Sequence, residues 1–270
     1  MSPAAGTSLI YLLGRSPEGF RTREFPFFGS LDNYITGRPK STTMQEAWLL
    51  ELGVTPYGEA LALQERLVEL RLQDRIPDTF LLLQHTPVVT LGRRASGSGR
   101  EVALAVNEEE LGRNGVALFE INRGGLATYH GPGQLVGYPI ISLSGKLDLK
   151  GYMDRLCRVM SSACAHYGIG ARIDKGLWVQ AEKIGSTGAA VVSRGGKHVT
   201  MHGFAFNVAD QSSGFSLIVP CGMASLKVTS LEQLISRQPP LDEVAALLAK
   251  AFKDEFRYAT LERVALSDLE

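Results

Sequence analysis

Residues 123–138 read RGGLATYHGPGQLVGY, and the rest of the chain is organised around them. The stretch holds two adjacent glycines, a Thr-Tyr-His triplet and a Gly-Pro-Gly turn that ends at Gln134. So many turn residues cost backbone entropy on folding unless the backbone itself must lie against something. Apolar runs typical of strands flank the stretch at 116–121 and 135–141. We therefore expect a loop at the mouth of a sheet, where α/β proteins often bind small molecules.

Apolar runs and amphipathic segments alternate on both sides of this stretch. Strands are predicted at 48–52, 80–83, 88–91, 177–180, 189–192 and 199–208, with a hairpin turn at 193–197. Helices are predicted from Pro56, with Thr55 as the N-cap, after the caps Asn107 and Ser230, and at 148–167 and 241–258, where helical spacing or capping residues indicate them. The pattern predicts an α/β fold of the α+β type, a mixed sheet with packed helices, in one domain at residues 44–270.

Residues 1–43 show no sustained strand or helix period. They are predicted to be an N-terminal extension of unknown role, with a targeting segment as one possibility. Glu18, Glu24 and Asp32 are more acidic residues than transit peptides usually carry, so that role stays open.

The composition argues against several classes of protein, among them nucleic-acid-binding, membrane-spanning and disulfide-rich proteins. The 270 residues include 28 Lys and Arg against 28 Asp and Glu, so the charge balance gives no reason to expect nucleic acid or a membrane surface as partner. No apolar run is long enough to cross a bilayer. Three cysteines without paired spacing favour a reducing compartment over a disulfide scaffold. No CxxC or HExxH pattern is present, so no metal site is predicted.

Cys221 is the candidate nucleophile. Cys157 and Cys164 fall in the predicted helix at 148–167, where cysteine usually serves as a small buried hydrophobe, whereas Cys221 lies in a Pro-Cys-Gly turn with room for a substrate. A thiol needs a neighbouring cation or base to become nucleophilic near neutral pH. Lys183, His130 and His202 are the candidates, although each can equally be an ordinary surface or structural residue, and Cys221 can be buried filler.

Four segments together carry a family resemblance. They are residues 123–134 of the opening stretch, Gly-Leu-Trp at 176–178 with Lys-Ile at 183–184, HGFAFNV at 202–208, and Pro-Cys-Gly at 220–222 with Thr-Ser at 229–230. In this order and rough spacing the chain resembles the lipoyl(octanoyl) transferases, the LipB family, over about residues 48–250. The resemblance implies a biotin/lipoate protein ligase-like catalytic domain that uses no cofactor and no metal.

The resemblance also implies roles for individual residues. Cys221 matches the nucleophile that carries the acyl group as a thioester, and Lys183 matches the lysine that lowers the pKa of its thiol. The remaining matches are implied to line the substrate pocket: Arg123, Gly124, Gly125, Leu126, Ala127, Thr128, Tyr129, His130, Ser186, Thr187, Gly188, His202, Gly203, Phe204 and Ala205.

The implied reaction moves an octanoyl group from octanoyl-acyl carrier protein to a lysine of a lipoyl domain. The implied acceptors are the lipoyl domains of 2-oxoacid dehydrogenase E2 subunits and the glycine cleavage H protein. The implied compartment is the cytoplasm, or a mitochondrion or plastid if the source is eukaryotic and residues 1–43 are a targeting segment.

The chain departs from the family pattern in two places, and three alternatives stay open. Residues 185–188 are expected to form a turn that is smaller and more polar than in the family, and the link to His202 is longer, which is expected to lengthen a hairpin near 193–198. The alternatives are an ATP-dependent lipoate–protein ligase, an octanoyl amidotransferase between lipoyl domains, and an inactive carrier-binding scaffold. The Pro-Cys-Gly segment favours the transferase over the ligase.

Overall fold

The computed structural model describes residues 45–95, 100–121, 123, 125–143, 147–219 and 226–269. The N-terminal extension, Gly124 and Cys221 therefore lie outside the described residues, and the expectations about them stay predictions.

The described residues alternate strands and helices along the chain. The strands are β1 (Glu46–Thr55), β2 (Asp78–His85), β3 (Val88–Leu91), β4 (Ala117–Glu120), β5 (Ala127–His130), β6 (Gln134–Ile140), β7 (Ser142–Leu143), β8 (Arg172–Ile173), β9 (Leu177–Val179), β10 (Glu182–Arg194), β11 (Lys197–Asn207) and β12 (Thr260–Arg263). The helices are α1 (Tyr57–Leu72), α2 (Arg100–Ala103), α3 (Glu108–Arg113), α4 (Leu149–His166), α5 (Ser212–Phe215), α6 (Leu231–Ile235) and α7 (Leu241–Phe256).

A mixed sheet in the order β12-β1-β2-β6-β11-β10-β9-β8 forms the centre, and β7 pairs with β11. β1 is parallel to β2 and β12, and the other neighbours are antiparallel. Helix α1 packs on one face through residues such as Leu63 and Leu67, while α4 and α7 cover the other face around Met160 and Phe252. The predicted mixed sheet with packed helices is therefore confirmed.

A second, three-stranded sheet in the order β4-β3-β5 contains the opening stretch. β5 pairs antiparallel with β3, from Ala127 opposite Leu91 to His130 opposite Val88. The expectation of a loop between the strand-like runs at 116–121 and 135–141 was therefore wrong for residues 127–130. The sequence ATYH has turn residues at both ends, and these suggested a loop. The strand forms because it pairs with β3, a segment more than thirty residues earlier in the chain.

The expected turn at 185–188 was also wrong, because these residues lie inside the continuous strand β10. Their small size allows close packing: a Cβ on Gly185 would lie 2.6 Å from Met160 Sδ, and one on Gly188 would lie 3.2 Å from Arg123 Cδ.

The predicted hairpin at 193–197 is confirmed. Gly195 and Gly196 link β10 to β11 with φ of +57° and +78°, as the commonest two-residue hairpin loop requires.

Candidate active site

A cavity of about 630 Å³ lies between the small sheet and strands β10 and β11, and α4 supplies part of its wall. The two sheets each contribute the side chains that face this space, so segments distant in the chain meet there. Its size falls within the usual range of small-molecule sites.

Most of the predicted pocket residues line this cavity. Those that do are Arg123, Gly125, Leu126, Ala127, Thr128, His130, Lys183, Ser186, Thr187, Gly188, His202, Gly203, Phe204 and Ala205. Tyr129 does not line the cavity: its side chain packs on Phe215, with its ring so close to Gly214 that a Cβ there would lie 2.0 Å from it. Along β5 its side chain alternates with those of Thr128 and His130, which do line the cavity. Contact with substrate stays a prediction for the lining residues.

Lys183 reaches the cavity from β10 and is 7% exposed. Its Nζ donates to the carbonyl of Lys175 at 3.3 Å and lies 5.3 Å from the centre of the Trp178 ring. Gly176, at φ +135°, leaves room for this side chain, because a Cβ there would lie 2.5 Å from Lys183 Cε. An ammonium over an aromatic face is attracted to the ring. The lysine is therefore held in one place at the cavity wall.

The backbone of Lys183 is tied to the segment that follows the undescribed residues 220–225. Its N–H donates to the carbonyl of Lys227 and its carbonyl accepts from the N–H of Thr229, both at 3.0 Å. Leu226, the first described residue after that gap, lines the cavity. The end of the segment that contains Cys221 is thereby fixed beside Lys183.

Arg123 places a second cation at the cavity wall, and it is 8% exposed. Its Nη2 donates to both the carbonyl and Oγ1 of Thr90 in β3, each at 2.9 Å. Burial is the main cause that lowers the pKa of His130 and His202, and the Arg123 guanidinium lowers both further, so its positive charge acts on the interior of the cavity.

His130 is a neutral imidazole whose tautomer is set by a chain of buried amides. Gln134 Nε2 donates to Asn207 Oδ1 at 2.9 Å, and Asn207 Nδ2 donates to the Thr229 carbonyl at 2.9 Å. The Gln134 oxygen must then accept, so His130 Nδ1 donates to it at 2.6 Å. Nε2 is left as an acceptor. Burial, and secondarily His85, lowers the pKa of His130 to about 3.

His202 is a neutral imidazole in an unusual backbone conformation. It lies on β11 opposite Ala189, 4% exposed, with φ +60°, a region that costs about 1–2 kcal/mol for a residue with a Cβ. Burial, and secondarily Arg123, lowers its pKa to about 4. Within the described residues its ring nitrogens have no hydrogen-bond partner, so they can bond to a ligand in the cavity.

A polar layer behind the cavity was missed at the sequence level. His85 Nδ1 donates to the Thr55 carbonyl at 2.9 Å, so its Nε2 accepts from Tyr138 Oη at 2.7 Å. Burial lowers the pKa of His85 to about 4. In the sequence, the signal for this layer was His85, a titratable residue at the end of an apolar strand run.

The sequence analysis also missed further residues that line the cavity. They are Tyr57, Arg93, Arg94, Ile121, Tyr138, Leu149, Met153, Asp174, Lys175, Trp178, Ala189, Phe215 and Leu226.

Cys157 and Cys164 are buried on α4, as expected from their helical spacing. Burial is the main cause that raises the pKa of the Cys157 thiol to about 11 and that of Cys164 to about 12. Both thiols are therefore protonated near neutral pH and are poor nucleophiles.

The cavity combines two buried cations, two neutral imidazoles and several apolar side chains. Fixed cations and N–H groups stabilise negative charge that develops on a carbonyl oxygen, and apolar walls suit an alkyl chain.

In the described part of the chain, no group of three or more His, Cys, Asp or Glu side chains is arranged to hold a metal ion. None of the described helices is long and apolar enough to span a membrane.

The sequence matches the family model of the lipoyl protein ligase A/B catalytic domain over residues 56–253. An octanoyltransferase of Caldicellulosiruptor saccharolyticus is 44% identical over 226 residues, which cover 81% of this chain and 92% of the relative. An octanoyltransferase of Rubrobacter xylanophilus is 42% identical over 205 residues, covering 75% of this chain and 90% of the relative.

The structure is similar to the bipartite lipoate protein ligase from Thermoplasma acidophilum, with a TM-score of 0.64 and 18% identity. The match covers 83% of this chain and 89% of that one. At this identity the likeness concerns the fold alone, and it confirms the predicted lipoate ligase-like fold.

Proposed function

Because the chain belongs to the octanoyltransferases of the lipoyl protein ligase A/B catalytic domain family, we propose that it moves an octanoyl group from octanoyl-acyl carrier protein to a lysine of a lipoyl domain. Acceptors of this kind are the lipoyl domains of 2-oxoacid dehydrogenase E2 subunits and the glycine cleavage H protein. The proposed compartment is the cytoplasm, or an organelle if residues 1–43 prove to be a targeting segment in a eukaryotic source.

The proposed nucleophile is Cys221, five residues before Leu226 in the cavity wall. Five residues of chain span at most about 18 Å, so the thiol can reach the cavity that Lys183 lines. An ammonium close to a thiol favours the thiolate and lowers the pKa of the thiol. Lys183 is therefore proposed to activate Cys221.

The proposed reaction has two acyl transfers. The Cys221 thiolate attacks the carbonyl of the donor thioester and a new C–S bond forms. The bond to the carrier sulfur breaks, and the carrier leaves as a thiol with a proton from the Lys183 ammonium. The neutral amine of the acceptor lysine then attacks the enzyme thioester. An amide forms, Cys221 leaves as thiolate, and the proton that the amine loses passes to the now neutral Lys183, directly or through a histidine, which restores the ammonium beside the thiolate.

His202 and backbone N–H groups of the glycine-rich segments are proposed to bind the carbonyl oxygen as it becomes negative. A neutral imidazole can donate one hydrogen bond, and each such donor is worth roughly 3 kcal/mol in the transition state. The lowered pKa of His202, about 4, keeps the ring neutral at physiological pH, so this donation does not require a charged histidine.

The apolar part of the cavity is proposed to hold the octanoyl tail. Ile121, Leu126, Met153, Phe204 and Phe215 supply apolar surface there. At about 0.8 kcal/mol for each buried methylene, the chain contributes several kcal/mol of binding and allows selection by length. This cavity, apolar along its wall and bordered by Lys183, is the single observation that carries the proposal.

The first test is the mass of the protein after incubation with octanoyl-acyl carrier protein, with and without ATP. We expect one octanoyl adduct without ATP, labile to hydroxylamine and absent in Cys221→Ser. Cys157→Ser is the matched control and should keep the adduct, because its thiol is buried on α4.

Four results would contradict the assignment. A labile adduct on Cys157 or Cys164 removes Cys221 as nucleophile. A strict requirement for ATP favours the lipoate–protein ligase. If an octanoylated lipoyl domain acylates the protein and octanoyl-acyl carrier protein does not, the protein is an amidotransferase. If no adduct forms under any condition, the result supports an inactive scaffold.

A further inference from the structure

The backbone of β11 is irregular at His202. Its pairing with β10 continues in register through this residue, but on its other side pairing with β6 begins only at Phe204 and pairing with β7 ends at Val199. The N–H of His202 turns instead toward α1, where it donates to Gln64 Oε1 at 2.9 Å. A helix side chain thus takes the place of a strand partner.

Two unfavourable features meet at this contact. His202 holds φ +60°, a conformation for which glycine would be better suited. Gln64 is 0% exposed, and its Nε2 has no hydrogen-bond partner within the described residues. Methionine would fill the same space without a buried unpaired amide. Strained or unsatisfied groups that persist together in a native structure point to function.

We propose that Gln64 is a positioning residue, whose Oε1 holds the amide of His202 and so sets the direction in which the imidazole enters the cavity. The proposal rests on the octanoyl transfer proposed above, in which His202 contacts the carbonyl oxygen. Gln64 itself does not line the cavity, so it acts through His202 alone. A shift of about 1 Å in a contact group can slow a reaction by about a hundredfold.

The kinetic test is a double-mutant cycle. Gln64→Met removes the acceptor and keeps the volume, and His202→Gly removes the imidazole while suiting the observed φ. Gln64→Met should lower kcat at least about tenfold with KM nearly unchanged. The double variant should be no slower than His202→Gly, because Gln64 has nothing left to position. Losses that multiply in the double variant overturn the proposal.

Leu67→Met on the same buried face of α1 is the matched control and should keep the wild-type kcat. Thermal melting of each variant checks that it is folded. Should Gln64→Met fail to fold, Gln64→Asn withdraws the oxygen by one methylene, and the same outcomes apply.

An NMR titration of the His202 ring separates this inference from the proposed function. The ring signal, assigned by its loss in His202→Gly, should titrate at about pH 4 in the wild type. In Gln64→Met it should move toward the ordinary value near 6.5, as the ring gains freedom to meet water. An unchanged titration refutes the role of Gln64 even if the enzyme is active. If the wild type transfers no octanoyl group, the proposed function fails and the titration alone decides the role of Gln64.

Discussion

At the residue scale, Lys183 shows that a charged side chain can lie at a buried position. A lysine is normally exposed, but here Trp178 and the carbonyl of Lys175 hold the ammonium at a buried wall. Gly176 makes that position possible, since it has no Cβ to meet the lysine stem. The geometry therefore depends on a glycine seven residues away as much as on the lysine.

Lys183→Ala should move the alkylation of Cys221 to higher pH, because loss of a nearby cation disfavours the thiolate. The measurement is the rate of iodoacetamide labelling between about pH 6 and 9. Cys157 and Cys164, with pKa values of about 11 and 12, should not react in that window. Lys253→Ala, on α7 away from the cavity, is the control. An unchanged profile would remove Lys183 from the activating role.

Gly176→Ala should lower kcat more than about tenfold, because the new Cβ displaces the Lys183 stem and φ +135° is strained for alanine. Gly170→Ala is the matched control, since a Cβ there meets nothing within 4 Å. Steady-state kinetics and thermal melts of both variants make the comparison. Equal activity in the two would show that the position of Lys183 does not matter.

At the scale of elements, α4 links the fold to the cavity. It lines the cavity with Leu149 and Met153 in its first two turns and packs against α7 and the sheet with its opposite side. Asp148 begins the helix, and its Oδ1 accepts from the N–H of Gly151 at 2.8 Å. A cap of this kind satisfies a helix N–H that has no partner within the helix.

Asp148→Ala should lower the free energy of unfolding by about 1 kcal/mol, the usual value of an N-cap. Asp148→Asn keeps the oxygen acceptor and should stay within about 0.3 kcal/mol of the wild type. Urea unfolding followed by circular dichroism measures both. If the two variants lose the same amount, the charge of Asp148 matters and the cap does not.

At the scale of the whole molecule, Asp78 ties remote parts of the chain together. Its carboxylate accepts from Arg71 Nε at 2.7 Å, from the N–H of Ser142 at 2.9 Å and from Tyr258 Oη at 2.7 Å. These partners come from α1, β7 and the segment after α7. A buried carboxylate needs such partners to offset the loss of water.

Tyr258→Phe should lower the free energy of unfolding by about 1.5–3 kcal/mol, because a buried charged acceptor loses a donor. Tyr167→Phe is the matched control: its hydroxyl donates to the exposed Glu243 at 2.8 Å, and its loss should cost less than about 0.5 kcal/mol. Chemical denaturation measures both. Equal losses would mean that Asp78 finds another donor when Tyr258 Oη is gone.

Local pattern was sufficient for most of the elements. Asn107 and Ser230 each accept the hydrogen bond of a helix cap, as their residue types indicated, and Gly195 and Gly196 form the expected hairpin turn. The N-cap predicted at Thr55 was wrong, because Pro56 takes the N-cap position of α1 and Thr55 Oγ1 donates to the carbonyl of Leu52 instead. Caps and tight turns involve residues three or four positions apart, so the information for them lies within one segment. Strand β5 and the continuation of β10 through 185–188 were missed because pairing partners, which are distant in the chain, decide them.

The sequence by itself determined the family, the mixed α/β class and most of the residues that line the cavity. Short motifs carry such information because the chemistry of a site requires particular residue types at particular spacings. Only the tertiary structure decided that Tyr129 turns away from the cavity and that Gln64, on α1, holds His202. The direction of a side chain on a strand depends on register, and a contact between residues 138 positions apart depends on how the helix packs on the sheet. Neither can be read from local spacing.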